Sequence, residues 1–143
     1  MFDQRVKYVM DKKKVIKTSP QTSVRVAARM MQKKHVGAML VVEGERLVGI
    51  FTERDALFRV LARGLDPETT RLADVMTPKP LTIAPEEYFG RALLIMFDNG
   101  FRHLPVIENG VPVGLISSRS ALDPDLEEFV PEANRREHFR HSH

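Results

Sequence analysis

Seven residues, Gly49-Ile50-Phe51-Thr52-Glu53-Arg54-Asp55, close an apolar run and open a helix with types and spacing from which chemistry can be built. A hydroxyl followed three residues later by an acid reads as a capping box, in which Thr52 and Asp55 satisfy free backbone N–H groups at a helix start. The same arrangement also suits a small molecule. Amides at a helix N-terminus attract anions, and a carboxylate beside them accepts both hydroxyls of a ribose. On that reading Thr52 and Asp55 hold ribose and Arg54 reaches phosphate. Gly49, with no side chain, lets an adenine base lie close to the strand. Capping alone is the competing reading.

Little else in the chain is equipped for a reaction. There is no cysteine, Gly-x-Ser-x-Gly elbow, Walker loop or metal-plus-base group, so no catalytic residue and no metal site is expected. His138, His141 and His143 near the C-terminus are expected to bind metal only adventitiously. The net charge is +3, but 19 acidic residues are scattered among 22 basic ones, which makes nucleic acid an unlikely partner. The one dense cationic run, Lys12-Lys13-Lys14, reads as a solvated linker. No apolar stretch approaches the roughly 20 residues of a membrane span, and the N-terminus lacks a signal-peptide pattern, so a cytoplasmic location without a membrane partner is expected.

The elements that must position these residues are written twice. Shifted by 65 positions, Pro20–Leu57 lies on Pro85–Leu122 without a gap, with identities that include Ala27/Ala92, Met31/Met96, Val41/Val106, Gly49/Gly114 and Arg54/Arg119. Such internal repetition dictates architecture before any other signal. After each proline a helical stripe recurs, Val24-Ala27-Ala28-Met31 and Phe89-Ala92-Leu93-Met96. Two strands joined by a Gly-bearing turn follow, Ala38–Val42 with Leu47–Phe51 and Leu104–Ile107 with Val113–Ile116. Short strands precede each proline, at 15–18 and 81–83, and a second helix begins after Thr52 and Ser117. Each β-α-β-β-α unit leaves one sheet face bare, so the two must pack together. The expected division is repeat one over 1–64 with its approach segment, repeat two over 65–122, and a partly mobile tail over 123–143. In that tail Leu126, Phe129 and Val130 are expected to dock weakly.

With this duplication, the Gly49–Asp55 signature, the strand Phe101-Arg102-His103-Leu104-Pro105-Val106 and the approach motifs ending Val9-Met10 and Val75-Met76, the chain resembles a tandem CBS (cystathionine-β-synthase) domain pair. This pair, also called a Bateman module, is similar to the chain from about Val6 to Leu122, as in stand-alone bacterial-type CBS proteins. The resemblance implies an α/β (α+β) fold of two β-α-β-β-α repeats packed sheet to sheet with pseudo-twofold symmetry. It also implies a regulatory module, not an enzyme, that binds AMP, ADP, ATP or NAD(H) between the repeats and signals by changing repeat or dimer arrangement.

By that resemblance Thr52 and Asp55 hold ribose, Arg54, Arg102 and His103 meet phosphate, and Gly49, Ile50 and Thr82 line the adenine pocket. Thr18, Gly37, Ser117, Arg119 and Ser120 belong to a weaker second site, because Ser120 stands where copy one has Asp55. His103 reads equally well as a structural hydrogen-bonding residue, His35 as an exposed loop residue, and Glu53 is expected to face solvent. A homodimer and an unidentified effector protein are the implied partners. A CBS scaffold that binds no ligand is the alternative.

Overall fold

The helical stripe after Pro20 becomes α1, Val24–Lys34, which buries Val24, Ala27 and Met31. Ser23 caps it by accepting the Val26 N–H at 3.2 Å, and His35 ends it in the left-handed region at φ 56°. Its counterpart in the second half, α4 at Phe89–Asn99, buries Phe89, Ala92 and Met96 and stops at Gly100. These elements come from a computed structural model that describes residues 2–121.

Between the helices lie the two hairpins. β2 (Ala38–Glu43) pairs with β3 (Arg46–Thr52), and β5 (His103–Glu108) with β6 (Val111–Ser117), both antiparallel. Their registers match residue for residue across the duplication. Val41 faces Gly49 and Val106 faces Gly114, and each ladder is irregular immediately afterwards. The β5–β6 turn holds Asn109 and Gly110 at φ 55° and 80°, the pair of positive angles for which Asn-Gly is suited. β1 (Lys17–Thr18) runs parallel to β2, whereas its counterpart is a single parallel bridge from Ile83 to Val106, less than the predicted strand.

Strand alternation divides the core. Met39, Val41 and Phe51 pack against α1, while Ala38, Leu40 and Ile50 turn to the opposite face and meet Leu115 of the other repeat. The two sheets are thereby sealed against each other, as the bare faces of the separate units require.

The approach segments cross over. Leu72 and Val75, on the short helix α3 (Leu72–Val75), lie in the core of repeat one, and β4 (Thr77–Pro78) extends that repeat's sheet beside β3. Conversely Val6 belongs to the core of repeat two with Phe89 and Leu104, and Asp11 exchanges backbone hydrogen bonds of 2.9 and 3.0 Å with Leu115. Glycine at 49 and 114 is needed for this docking, because a Cβ there would collide with Met76 and Met10 respectively. The space expected to admit a base at Gly49 is filled by a side chain of the same protein.

α2 begins at Glu53–Asp55 and continues as π-helix over Ala56–Leu61, with the Ala62 N–H donating to the Leu57 carbonyl. In repeat two the matching segment is described only as a 3-10 turn, Ser118–Ala121. Leu122, Leu126, Phe129, Val130, His138, His141 and His143 lie outside the described residues. Among the described residues no helix is long and apolar enough to cross a membrane, and no group of three or more His, Asp or Glu is placed to hold a metal.

Candidate functional site

Each repeat brings its hairpin's second strand to a helix start and its first strand out of a helix end, so both points converge at the junction of the repeats. The backbone repeats the same bond on each side. Glu53 N–H donates to the Gly37 carbonyl at 3.0 Å, and Ser118 N–H donates to the Arg102 carbonyl at 2.9 Å. Between them opens a cavity of about 260 Å³. Its repeat-one wall is the end of α1 with His35, Val36, Gly37 and Glu53, and its repeat-two wall is Arg102, His103, Ser117, Ser118 and Arg119.

Two guanidiniums flank an imidazole on the second wall. Burial, then the charges of Arg119 and Arg102, push the His103 pKa down to about 4, so the ring is neutral at physiological pH. Its folded pKa lies below the ordinary value of about 6.5, so its contribution to stability is complete above that value and is lost as pH falls toward 4. Between pH 7 and 4.5 the wild type should lose on the order of 2–3 kcal/mol more unfolding free energy than His103→Asn. Urea unfolding of both proteins at the two pH values measures this, and parallel losses would contradict it.

The structure brings together only part of the predicted set. Gly37, Arg102, His103, Ser117 and Arg119 line the cavity. Thr52 and Asp55 stand outside it, joined as a closed capping box. Asp55 Oδ2 accepts the Thr52 N–H at 3.0 Å, and Thr52 Oγ1 accepts the Asp55 N–H at 3.2 Å. Asp55 is 8% exposed, and its Oδ1 accepts from Thr77 Oγ1 at 3.4 Å and pairs with Arg59 Nε at 3.5 Å. The carboxylate expected to meet ribose is thus committed to its own chain.

Arg54 does not reach the cavity, because α2 turns its side chain one helical turn onward to lie over the Phe58 ring, 5.4 Å from the centroid. Ile50 is buried in the apolar layer between the sheets with Ala38, Leu40 and Leu115. Thr18 spends its hydroxyl on Thr22 at 2.7 Å, and Thr82 is half-buried away from the cavity lining. Ser120 lies on the 3-10 turn next to Arg119.

Glu53 is exposed, as expected, and it also lines the cavity, with Oε1 2.8 Å from where a Gly37 Cβ would stand. Gly37 makes the room that the carboxylate occupies. His35 is exposed, as expected, and lines the cavity together with Val36, which no motif marked. Lys12, Lys13 and Lys14 are exposed as expected, with Asp11 Oδ1 accepting the N–H groups of Lys13 and Lys14.

The CBS-domain family pattern matches residues 6–62 and 72–124. The chain is 35% identical over 114 residues, 76% of its length, to the mitochondrial CBS domain-containing protein CBSX3 of Arabidopsis thaliana. It spans 55% of that relative, and 18% of another Arabidopsis thaliana relative, CBSCBSPB3. The structure superposes on that of an uncharacterized conserved protein from Pyrococcus horikoshii with a TM-score of 0.81 at 28% identity, covering 87% of this chain and 94% of that one. A CBS domain protein from Pyrobaculum aerophilum, solved in complex with AMP, shares the fold at a TM-score of 0.77 and 24% identity, covering 87% of this chain and 97% of that one.

Proposed function

The chain belongs to the CBS-domain family, and from that premise we propose that it is a non-catalytic regulatory module that binds an adenosine compound, AMP, ADP, ATP or NAD(H), at the junction of its repeats. The observation that carries this reading is the cavity wall on which Arg102 and Arg119 flank a neutral His103 beside the Ser117 hydroxyl. Two cations, a neutral ring donor and a hydroxyl make a phosphate site, since charge-assisted bonds are about twice as strong as neutral ones. A volume of about 260 Å³ falls below the roughly 300–1,000 Å³ of sites that enclose a whole ligand. The phosphate end therefore sits inside and the adenosine half extends through the open mouth.

Signalling follows if the ligand prefers one arrangement of the repeats, because its differential affinity is then the free energy available to shift a population. The reader is a second copy or an effector protein in the cytoplasm. For the copy, α4 supplies an apolar face on which Leu94 and Phe97 are 62% and 84% exposed. The second reading, a CBS scaffold that takes no ligand, draws on the closed Thr52–Asp55 capping box.

Titration calorimetry of AMP, ATP and NADH against the wild type and Arg102→Ala tests the proposal. The wild type should bind at least one of them at micromolar to millimolar concentration, and Arg102→Ala, whose side chain is exposed, should weaken binding by about 10- to 100-fold. If none of the three binds the wild type, the scaffold reading replaces this one.

A further inference from the structure

The cavity is built by twofold-related walls of opposite character. Shifted by 65 positions, Gly37 corresponds to Arg102 and Glu53 to Ser118, and all four line it. The matching backbone bonds, Glu53 to Gly37 and Ser118 to Arg102, hold each pair together within its own repeat, and both pairs line the one cavity. Repeat two therefore presents Arg102 and Arg119, whereas repeat one presents the Glu53 carboxylate and a residue without a side chain.

We propose that Glu53 is a specificity-determining residue that limits how much negative charge the cleft accepts, favouring adenosine compounds with a single phosphate over those with a polyphosphate chain. The inference rests on the phosphate-binding reading above and deepens it. A single phosphate seats between the two guanidiniums with the carboxylate at the opposite wall. A triphosphate carries about two more charges, and its added groups must extend across a cavity of about 260 Å³ toward Glu53. Repulsion between like charges a few ångströms apart is large enough, even at an exposed position, for two added charges to change affinity by about an order of magnitude. His103 offers no compensating charge, because it is neutral. Gly37 serves the same end by leaving space for the carboxylate.

Asp55, two residues along, is held by its cap, Thr77 and Arg59, so Glu53 is the acid of this motif that lines the cavity.

Calorimetry of AMP and ATP against the wild type, Glu53→Gln and Gly37→Ala is the test. Glu53→Gln should strengthen ATP binding by ~10-fold or more while changing AMP binding less than ~3-fold. Gly37→Ala, whose Cβ would lie 2.8 Å from Oε1 and crowd the carboxylate out, should move the ATP-to-AMP ratio in the same direction by a smaller factor. If both ligands bind and the ratio is the same in all three proteins, Glu53 is no charge filter and the phosphate site stands. If neither ligand binds any of the three, the phosphate reading falls and this inference falls with it.

Discussion

Asp55→Ala should lower the unfolding free energy by about 2–4 kcal/mol with no nucleotide present. Its carboxylate is the reciprocal half of the capping box, accepting the Thr52 N–H. Removing it leaves two half-buried donors, the Thr52 N–H and the Thr77 hydroxyl, without their acceptor, each worth roughly 1–3 kcal/mol when water cannot replace it. The Arg59 pair adds little, since that side chain is 41% exposed. Asp55→Asn keeps an acceptor oxygen and should lose only about half as much. Urea unfolding distinguishes the variants. A stability within about 0.5 kcal/mol of wild type for Asp55→Ala would mean that the capping box is dispensable. The consequence for function is direct. Weaker nucleotide binding by Asp55→Ala cannot be assigned to a lost ribose contact until this cost to the fold is subtracted, and Asp55→Asn is the better probe.

Leu72→Ala should cost about 2–5 kcal/mol, the range for truncating a fully buried leucine, and the damage should fall on repeat one. Leu72 belongs to the approach segment of the second repeat in the chain, yet it packs with Val24, Met39 and Phe51. Hydrogen exchange should therefore lose protection first in α1, β2 and β3, with α4, β5 and β6 retaining more. Val6→Ala should show the reverse, because Val6 packs with Phe89 and Leu104. Loss of protection in β5 and β6 first for Leu72→Ala would contradict the crossover of the approach segments. A crossover of this kind makes the repeats mutually dependent, so neither should fold well when cut off between Gly64 and Leu72. Through β4 and Met76 it also connects the Gly49 strand of repeat one to the start of repeat two.

Of the candidate site, the residues of repeat two were the more legible. Arg102 precedes β5, His103 opens it and Ser117 closes β6, and a strand's ends are placed by its hydrophobic run. The Thr52–Asp55 segment was legible as a capping box or as a ligand motif and could not be divided further, because both uses need the same residue types at the same spacing. Which of Glu53 and Asp55 turns to the cavity was beyond reach. Two positions along a helix rotate a side chain by about 200°, so the two acids point nearly opposite ways, and only the neighbours of α2 determine which way is inward.

The sequence by itself determined the duplication, the helical stripes, the hairpins and their glycine-bearing turns, since periodicity and turn chemistry act over a few residues and do not depend on what lies across the molecule. It also determined that the two sheets must meet, because each unit has an apolar face it cannot cover alone. The tertiary structure decided which repeat each approach segment joins, that Met76 packs against Gly49, that Asp55 is held by Thr77 and Arg59, and that Glu53 lines the same cavity as Arg102 and Arg119. These are contacts between residues distant in the chain. Their outcome depends on which surfaces exclude water together and on where that leaves each charge, and no local spacing records it.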